Sequence, residues 1–93
     1  MGNIQFAWDR RKARSNLVKH GVSFEEAQTV FLDENARLID DPDHSADEER
    51  FLLLGLGSSL RLLVVAHCYR EAGGVIRIIS ARKATRDEER FYP

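Results

Sequence analysis

Residues 50–82, RFLLLGLGSSLRLLVVAHCYREAGGVIRIISAR, decide the fold of this chain. Three apolar runs alternate here with short turn-forming segments. The runs predict three β-strands, over residues 50–57, 60–69 and 75–82. Because consecutive strands with short connections pair side by side in opposite directions, the stretch predicts an antiparallel meander.

The residues before this stretch predict a short strand followed by two helices. Apolar and less apolar side chains alternate over residues 4–8, which is typical of a strand with one buried face. A helix over residues 10–20 is bounded by Asp9 as its N-cap and by Gly21 as its C-cap. A Ser-x-x-Glu capping box then opens a second helix over residues 24–32.

Two further elements complete the order. Residues 36–40 predict a strand before the meander, and a capping box at Thr85 opens a last helix toward Tyr92. The order is β-α-α-β-β-β-β-α, which belongs to the α+β class. We expect the amphipathic helices to pack on one face of the antiparallel sheet and to leave the other face partly open.

Length and composition indicate a single globular domain over residues 1–93. Apolar residues make up 43% of the chain and charged residues 31%, a balance typical of folded domains. The one cysteine, Cys68, cannot form an intrachain disulfide, and we interpret it as a buried strand residue. The apolar stretches are far shorter than the roughly 20 residues of a membrane span, and residues 1–6 lack the features of a secretory signal. We therefore expect a cytoplasmic protein with no membrane partner.

The formal net charge of −1 conceals a separation of the two signs along the chain. Residues 10–19 are rich in lysine and arginine and contain no acid, whereas residues 40–49 are rich in acids and contain no lysine or arginine. Such separation creates local fields that the total charge hides. The charge distribution is thus compatible with a basic surface that binds nucleic acid.

The first helix carries a stripe of polar side chains. Lys12, Asn16, Lys19 and His20 project in similar directions, because residues three and four apart share a helix face. Two cations, an amide and an imidazole suit a phosphate group. The solvated face of any small helix would show similar residues, so both interpretations stay open.

Cations also gather where the last strand meets the last helix. Strand alternation places Arg77 and Arg82 on opposite sides of the sheet. Arg82 and Lys83 lie beside a helix N-terminus, whose free N–H groups favour anions, and guanidinium groups bind phosphate through two parallel hydrogen bonds. Pairing of these cations with the acidic segment is the alternative.

Metal and cofactor sites find little support in the sequence. His20, His44 and His67 are scattered, and no two of them have the spacing of a zinc-binding pair. The acidic segment from Asp41 lacks the glycine and the glutamate of a calcium-binding loop. The sequence also contains no nucleophile elbow, phosphate-binding P-loop or dinucleotide fingerprint. We expect no metal and no cofactor.

The remaining chemistry fits RNA cleavage through the 2′-hydroxyl. This reaction needs a base for the hydroxyl proton, cations at the phosphate and an acid for the leaving oxygen. Histidine is the natural base near neutral pH, and His20 on the cationic helix is the first choice. His67 is the second, because a lone histidine in an apolar strand is more often a core residue. A lysine or Tyr92 could take a proton-transfer role.

The order of several short motifs resembles the BrnT toxin family over nearly the whole chain. In the N-terminal half these motifs are Phe6-Ala7-Trp8-Asp9, Lys12 with Asn16, Lys19-His20-Gly21-Val22 and Phe24-Glu25-Glu26-Ala27. In the C-terminal half they are Asp41-Pro42-Asp43-His44, Glu49-Arg50, residues 77–84 and Glu89 with Tyr92. Each motif is weak alone, but their order and spacing together are specific.

This resemblance implies a RelE-like fold and a ribonuclease toxin of a type II toxin-antitoxin system. Such a toxin would be an endoribonuclease that cleaves cellular RNA without metal and inhibits translation and growth. The resemblance also implies a BrnA-like ribbon-helix-helix antitoxin as partner, with operator DNA bound only through that antitoxin. It leaves open a homodimer or a toxin-antitoxin heterotetramer.

The family's pattern and the residue chemistry together give the candidate site. The candidate catalytic residues are His20, Arg77, Arg82 and Tyr92. The candidate RNA contacts are Lys12, Asn16, Lys19, Arg50, His67 and Lys83. A single site requires that the first helix meet the junction between the last strand and the last helix.

The alternative function is a non-catalytic module, derived from such a toxin, that binds nucleic acid or the antitoxin. Its affinity would fall with salt, and replacement of His20 would not change its effect in cells. A metal-dependent nuclease is a third hypothesis, and it predicts that a chelator abolishes the activity.

Overall fold

The computed structural model describes residues 4–41 and 49–93. The described chain forms five strands, three α-helices and two short 3-10 turns, in the order of strands and helices expected from the sequence. These elements are β1 (Gln5–Ala7), α1 (Arg10–His20), α2 (Phe24–Thr29), a 3-10 turn (Val30–Leu32), β2 (Arg37–Ile39), β3 (Phe51–Leu56), β4 (Leu62–Arg70), a 3-10 turn (Glu71–Gly73), β5 (Val75–Lys83) and α3 (Arg86–Glu89).

The strands form one sheet in the order β1-β5-β4-β3-β2. Strands β2 to β5 pair antiparallel with their sequence neighbours, which confirms the meander. Strand β1 lies beside β5 and runs parallel to it, so the first and last strands of the chain are neighbours. This placement brings the start of α1 next to β5.

Side-chain caps fix the ends of the first two helices. The carboxylate of Asp9 accepts hydrogen bonds from the backbone N–H groups of Arg11 and Lys12, and Gly21 ends α1 with a φ of 70°, which suits glycine. The Ser23 hydroxyl accepts the Glu26 N–H, as the capping box predicts. The Glu26 carboxylate does not close that box, because it binds Arg61 in the turn before β4 at 2.6 Å.

Two apolar clusters lie on opposite faces of the sheet. The first face packs against α1 and α2 through Val22, Phe24, Ala27, Val30, Leu63, Val65, Ile78 and Ala81. The second face carries Leu52, Leu54, Val64 and Ala66, with Ile79, Ala84 and Tyr92 packed on it. The segment that carries α3 therefore packs on the second face, which corrects the expectation that all helices share one face.

A β-bulge interrupts the pairing of β4 with β5. Ala66 pairs with Ser80, but the next residue, His67, pairs with Ile78, so Ile79 is an extra residue on β5. A bulge adds one residue to one strand and thereby reverses the alternation of its side chains beyond that point.

The bulge changes the placement of the two arginines of β5. Arg77 pairs with Cys68, and Arg82 pairs with Val64. Because these two partners are an even number of residues apart on β4, both arginines lie on the second face. The prediction that Arg77 and Arg82 leave the strand on opposite sides is wrong. It assumed regular alternation along β5, whereas the bulge adds one residue, Ile79, between the two arginines.

Gly55 offers a direct test of packing between β3 and the connection that follows α2. A Cβ atom at this position would lie 2.9 Å from Val30 Cγ1 and 3.0 Å from Ala36 Cβ. Overpacking of this kind typically costs about 1–3 kcal/mol. We therefore expect Gly55→Ala to lower the free energy of unfolding by about that amount, as measured by urea denaturation.

Gly74→Ala is the matched control for this prediction. Gly74 has a φ of −78°, and an added Cβ would only touch the Glu71 carbonyl at 3.4 Å, which is ordinary contact. Its free energy of unfolding should stay near that of the wild type. Equal stability of the two alanine variants would contradict the close packing at Gly55.

Candidate active site at the edge of β5

A groove of about 300 Å³ runs between α1 and β5. Its lining consists of Arg11, Lys12, Ser15, Asn16, Lys19 and His20 from α1 and of Ile79 and Ser80 from β5. The whole stripe predicted on the first helix therefore faces one groove. Helix α1 contains no acid, so the field in the groove is dominated by cations.

The two lysines and the histidine of the stripe are accessible. Lys12 and Lys19 are exposed, and His20 is half-buried at the last position of α1. Within residues 4–41 and 49–93, no side-chain hydrogen bond or ion pair engages any of the three. The groove thus presents two ammonium groups and an imidazole to a ligand.

Asn16 does not share this accessibility. Only 6% of its surface is exposed, and its amide nitrogen donates to the carbonyls of Val22 at 2.9 Å and Ala81 at 2.7 Å. Its amide oxygen accepts the Ala81 N–H at 3.0 Å. These bonds occupy the amide. Asn16 therefore joins α1 to β5 and to Val22 at the floor of the groove, and its amide is not available to contact RNA.

Arg77 lies close to the first turn of α1. The pKa of the Asp9 carboxyl is lowered, mainly by the backbone N–H groups of Lys12 and Arg11 and, to a smaller extent, by the charges of Lys12 and Arg77. Arg77 as a whole is half-buried, and its pairing with Cys68 places it on the second face of the sheet. It therefore lies near the N-terminal end of α1, and it is not among the residues that line the groove.

Arg82 directly follows Ala81, the residue that α1 binds through Asn16. The structure thus brings α1 and the end of β5 together, as a single site requires. Ser80, which lines the groove, pairs with Ala66 on the second face. The groove, Arg77 and Arg82 consequently share one side of the molecule.

Glu88 of α3 holds the guanidinium of Arg82. Two parallel hydrogen bonds, of 2.7 and 2.8 Å, join the two groups, and they are the main reason why the pKa of Glu88 falls to about 2. Because the pKa is depressed from 4.5, this pair stabilises the fold above pH 4.5, and the contribution is lost as the pH falls toward about 2. The carboxylate fixes the direction of Arg82.

Two other predicted cations lie elsewhere. Arg50 precedes β3 and pairs with Asp41 at 3.4 Å, in a separate cavity of about 430 Å³ that also contains Asp40 and Phe51. Lys83 is exposed, and its pairing with Leu63 places it on the first face of the sheet, away from Arg82. The structure does not bring either of them into the groove between α1 and β5.

Tyr92 anchors the C-terminal segment. Its hydroxyl donates a 2.7 Å hydrogen bond to Asp33, and this bond raises the pKa of Tyr92. Asp33 also accepts the Leu56 N–H, which is the main reason why its own pKa is lowered. Tyr92 is thus fixed to the connection between α2 and β2 and does not line the groove.

His67 is a core residue. Only 1% of its surface is exposed, and its ring packs against Phe31, Phe51 and Tyr69. Its ring nitrogens lie 3.1 Å from the Val65 carbonyl and 3.3 Å from the Tyr69 hydroxyl. Burial lowers its pKa. The ring is closed to RNA, which favours the core interpretation over the predicted RNA contact.

The buried imidazole makes a pH-dependent contribution to stability. Because the pKa of His67 is lowered in the folded state, the unfolded chain binds more protons below pH 6.5, and stability should fall as the pH drops. We expect His67→Phe to weaken this fall in thermal unfolding experiments between about pH 8 and pH 5. A variant with an unchanged pH profile would contradict a buried neutral His67.

Several site residues were absent from the sequence-based predictions. Arg11 and Ser15 lie one position before Lys12 and Asn16, and helical spacing alone could have added them to the stripe. Ser80 pairs with Ala66 on the same face as Arg82, as alternation back from Arg82 predicts, whereas Ile79 lies beside it on that face because of the bulge. Glu88 is the acidic residue of the capping box at Thr85, and its carboxylate accepts hydrogen bonds from both the Thr85 N–H and Arg82.

The described part of the chain shows no group of three or more histidine, cysteine, aspartate or glutamate side chains that could hold a metal ion. In the same residues, no helix is long and apolar enough to span a membrane.

Comparison with known proteins agrees with the motif pattern. The crystal structure of the Brucella abortus ribonuclease toxin BrnT is similar in fold, with a TM-score of 0.68 and 22% sequence identity, over 90% of this chain and all of that chain. No curated protein matches. The family model described as "Ribonuclease toxin, BrnT, of type II toxin-antitoxin system" matches residues 8–88. The chain therefore belongs to the BrnT family of ribonuclease toxins of type II toxin-antitoxin systems.

Proposed function

We propose that this protein is a metal-independent endoribonuclease with a RelE-like fold, and that the groove between α1 and β5 is its active site. One observation carries this proposal: the cationic stripe of α1 faces the segment of β5 that lies between Arg77 and Arg82, and both arginines lie on the second face, onto which the groove opens. Membership of a ribonuclease toxin family supports the same reaction class.

The groove offers each function that cleavage through the 2′-hydroxyl requires. His20 takes the 2′-hydroxyl proton, and the 2′ oxygen then attacks the adjacent phosphorus. Lys12, Lys19 and the two arginines stabilise the negative charge that builds up on the phosphate oxygens. The bond to the 5′ oxygen breaks, and this oxygen takes a proton from a lysine ammonium group of the groove. The products are a 2′,3′-cyclic phosphate and a 5′-hydroxyl.

We also propose the cellular setting of this reaction. A type II family implies an antitoxin protein as partner. A BrnA-like ribbon-helix-helix antitoxin would neutralise the toxin and bind operator DNA, with the toxin in a homodimer or in a toxin-antitoxin heterotetramer. Free toxin would cleave cellular RNA in the cytoplasm and thereby inhibit translation and growth.

The test is RNA cleavage by the purified protein. Total bacterial RNA is incubated with the wild type in the presence of a chelator, and in parallel with added Mg²⁺. We expect equal cleavage in both samples and fragments that end in a 2′,3′-cyclic phosphate. Loss of cleavage with the chelator would instead indicate a metal-dependent nuclease.

Arg37→Ala is a suitable control variant, because Arg37 is an exposed cation on β2, at the opposite edge of the sheet from the groove. It should cleave like the wild type and arrest growth when expressed. A wild type that binds RNA with salt-dependent affinity but leaves it intact would overturn the proposal in favour of a non-catalytic module.

A further inference from the structure

Strand β1 covers only part of the outer edge of β5. Its residues pair with Val75, Ile76 and Arg77, and beyond Arg77 the neighbour of β5 is helix α1. The backbone of Ala81 would be left without partners on this side, but the Asn16 amide binds both its N–H and its C=O. A single side chain thus supplies the two hydrogen bonds that a residue of a further strand would make.

The same amide also binds the connection between the helices. Its second N–H donates to the carbonyl of Val22, which precedes α2. Both donors of the amide are therefore used, and both bonds are buried. Asn16 consequently fixes α1 relative to β5 and to the start of α2 at the same time.

We propose that Asn16 is a positioning residue for RNA cleavage, which sets the cations and the imidazole of α1 against Arg82. The inference rests on the function proposed above and adds the device that aligns the two halves of the site. Asn16 lies on the same helix stripe as Lys12, Lys19 and His20. It also forms hydrogen bonds with the backbone of Ala81, the residue that precedes Arg82.

The three hydrogen bonds of the Asn16 amide, called the clamp below, should affect the rate of reaction because they fix the position of α1. Helix α1 carries all of its groove residues as one rigid unit, so a small shift of the helix moves all of them relative to Arg82. A displacement of about 1 Å can cost about 100-fold in rate when reacting groups must be aligned. Charge in the groove stays the same, so binding of RNA should change little.

The experiment compares Asn16→Ala and Asn16→Gln with Val30→Ala. The glutamine keeps the amide but places it one carbon further from the backbone. Val30 is fully buried in the first-face cluster, and it lies outside the groove lining. Its alanine variant therefore reproduces a loss of stability without disturbing the clamp. Each variant is assayed at a temperature at which circular dichroism shows it to be folded.

The readout is single-turnover cleavage of a fluorescent RNA oligonucleotide chosen from sites that the wild type cuts in total RNA. We expect the maximal rate of both Asn16 variants to fall by about 10- to 100-fold, with the half-saturating protein concentration changed by no more than about threefold. Val30→Ala should retain most of the wild-type rate. In the Asn16 variants, hydrogen exchange at the Ala81 amide should also become faster.

Three results would overturn the inference. The first is a folded Asn16→Ala variant that cleaves like Val30→Ala, and the second is a loss confined to RNA affinity. The third is failure of both Asn16 variants to fold at any temperature, which would make Asn16 a determinant of folding alone. A wild type that does not cleave RNA would be a failure of the proposed function, and the wild-type sample shows this separately.

Discussion

Replacement of His20 by alanine is expected to lower the rate of RNA cleavage by about 10²- to 10⁴-fold, the usual contribution of a general base. His20 lines the groove together with both lysines of the stripe, and no described residue occupies its ring through a hydrogen bond. The change removes the group that takes the proton and leaves the surrounding cations in place. Single-turnover cleavage of the same oligonucleotide measures the effect.

Two controls separate proton transfer from packing in this prediction. His20→Gln keeps a polar side chain of similar size but cannot exchange a proton near neutral pH, so it should be as slow as His20→Ala. Added imidazole should restore part of the activity of the alanine variant, because a free base can enter the open groove. A His20→Gln variant with wild-type activity would exclude His20 as the base.

Removal of either arginine of β5 is expected to lower cleavage by about 10²- to 10³-fold, as does loss of one donor to a developing oxyanion. Arg77→Ala and Arg82→Ala each remove a guanidinium from the face onto which the groove opens. Replacement by lysine should restore only part of the rate, since an ammonium group has fewer N–H donors than a guanidinium and lacks its planar geometry. Cleavage assays of all four variants test this.

The ion pair of Arg82 with Glu88 requires a specific control. Arg82→Ala also removes the partner of Glu88, so a loss of activity could arise from a displaced α3. Glu88→Gln removes the ion pair but keeps the guanidinium. It should lose less cleavage activity than Arg82→Ala, because the guanidinium stays and the glutamine oxygen can still accept one of its hydrogen bonds. Equal losses in Arg82→Ala and Glu88→Gln would assign Arg82 to the fold and not to the reaction.

Local patterns in the sequence were sufficient to predict the elements of the fold. Asp9, Gly21 and Ser23 act on backbone groups within a few residues, so their effect on the helix ends is visible in the sequence. The apolar runs of β3, β4 and β5 likewise follow from burial on both faces of the sheet. These interactions are short in sequence, which is why the strands and helices appeared in the expected order.

The bulge and the placement of α3 could not be predicted in the same way. The bulge depends on how Ala66 and His67 pair across the sheet, and the run Ile78-Ile79-Ser80 suits either register. Helix α3 is short, and the residues that anchor its segment, Ala84 and Tyr92, lie outside it. Long-range packing decided both features.

Those parts of the candidate site that depend on long-range contacts could not be predicted from the sequence either. Helical spacing correctly grouped the stripe of α1, but it could not distinguish the exposed Lys12 from the buried Asn16. The partner of Asn16, Ala81, is separated from it by 65 residues, so the clamp has no local signature. Likewise, a single histidine within an apolar strand suggested that His67 is a core residue. The structure establishes this, because the rings of Phe31 and Tyr69 pack against it.

The most direct test of a single site is binding of an RNA oligonucleotide whose 2′-hydroxyls are blocked by methyl groups, so that it cannot be cleaved. Backbone resonances of the ¹⁵N-labelled protein are followed during the titration. If the site is single, the resonances of Lys12, Lys19 and His20 on α1 shift together with those of Ser80 and Arg82 on β5, with one common affinity. Shifts confined to one of these elements, or centred on the cavity around Arg50, would contradict a single site.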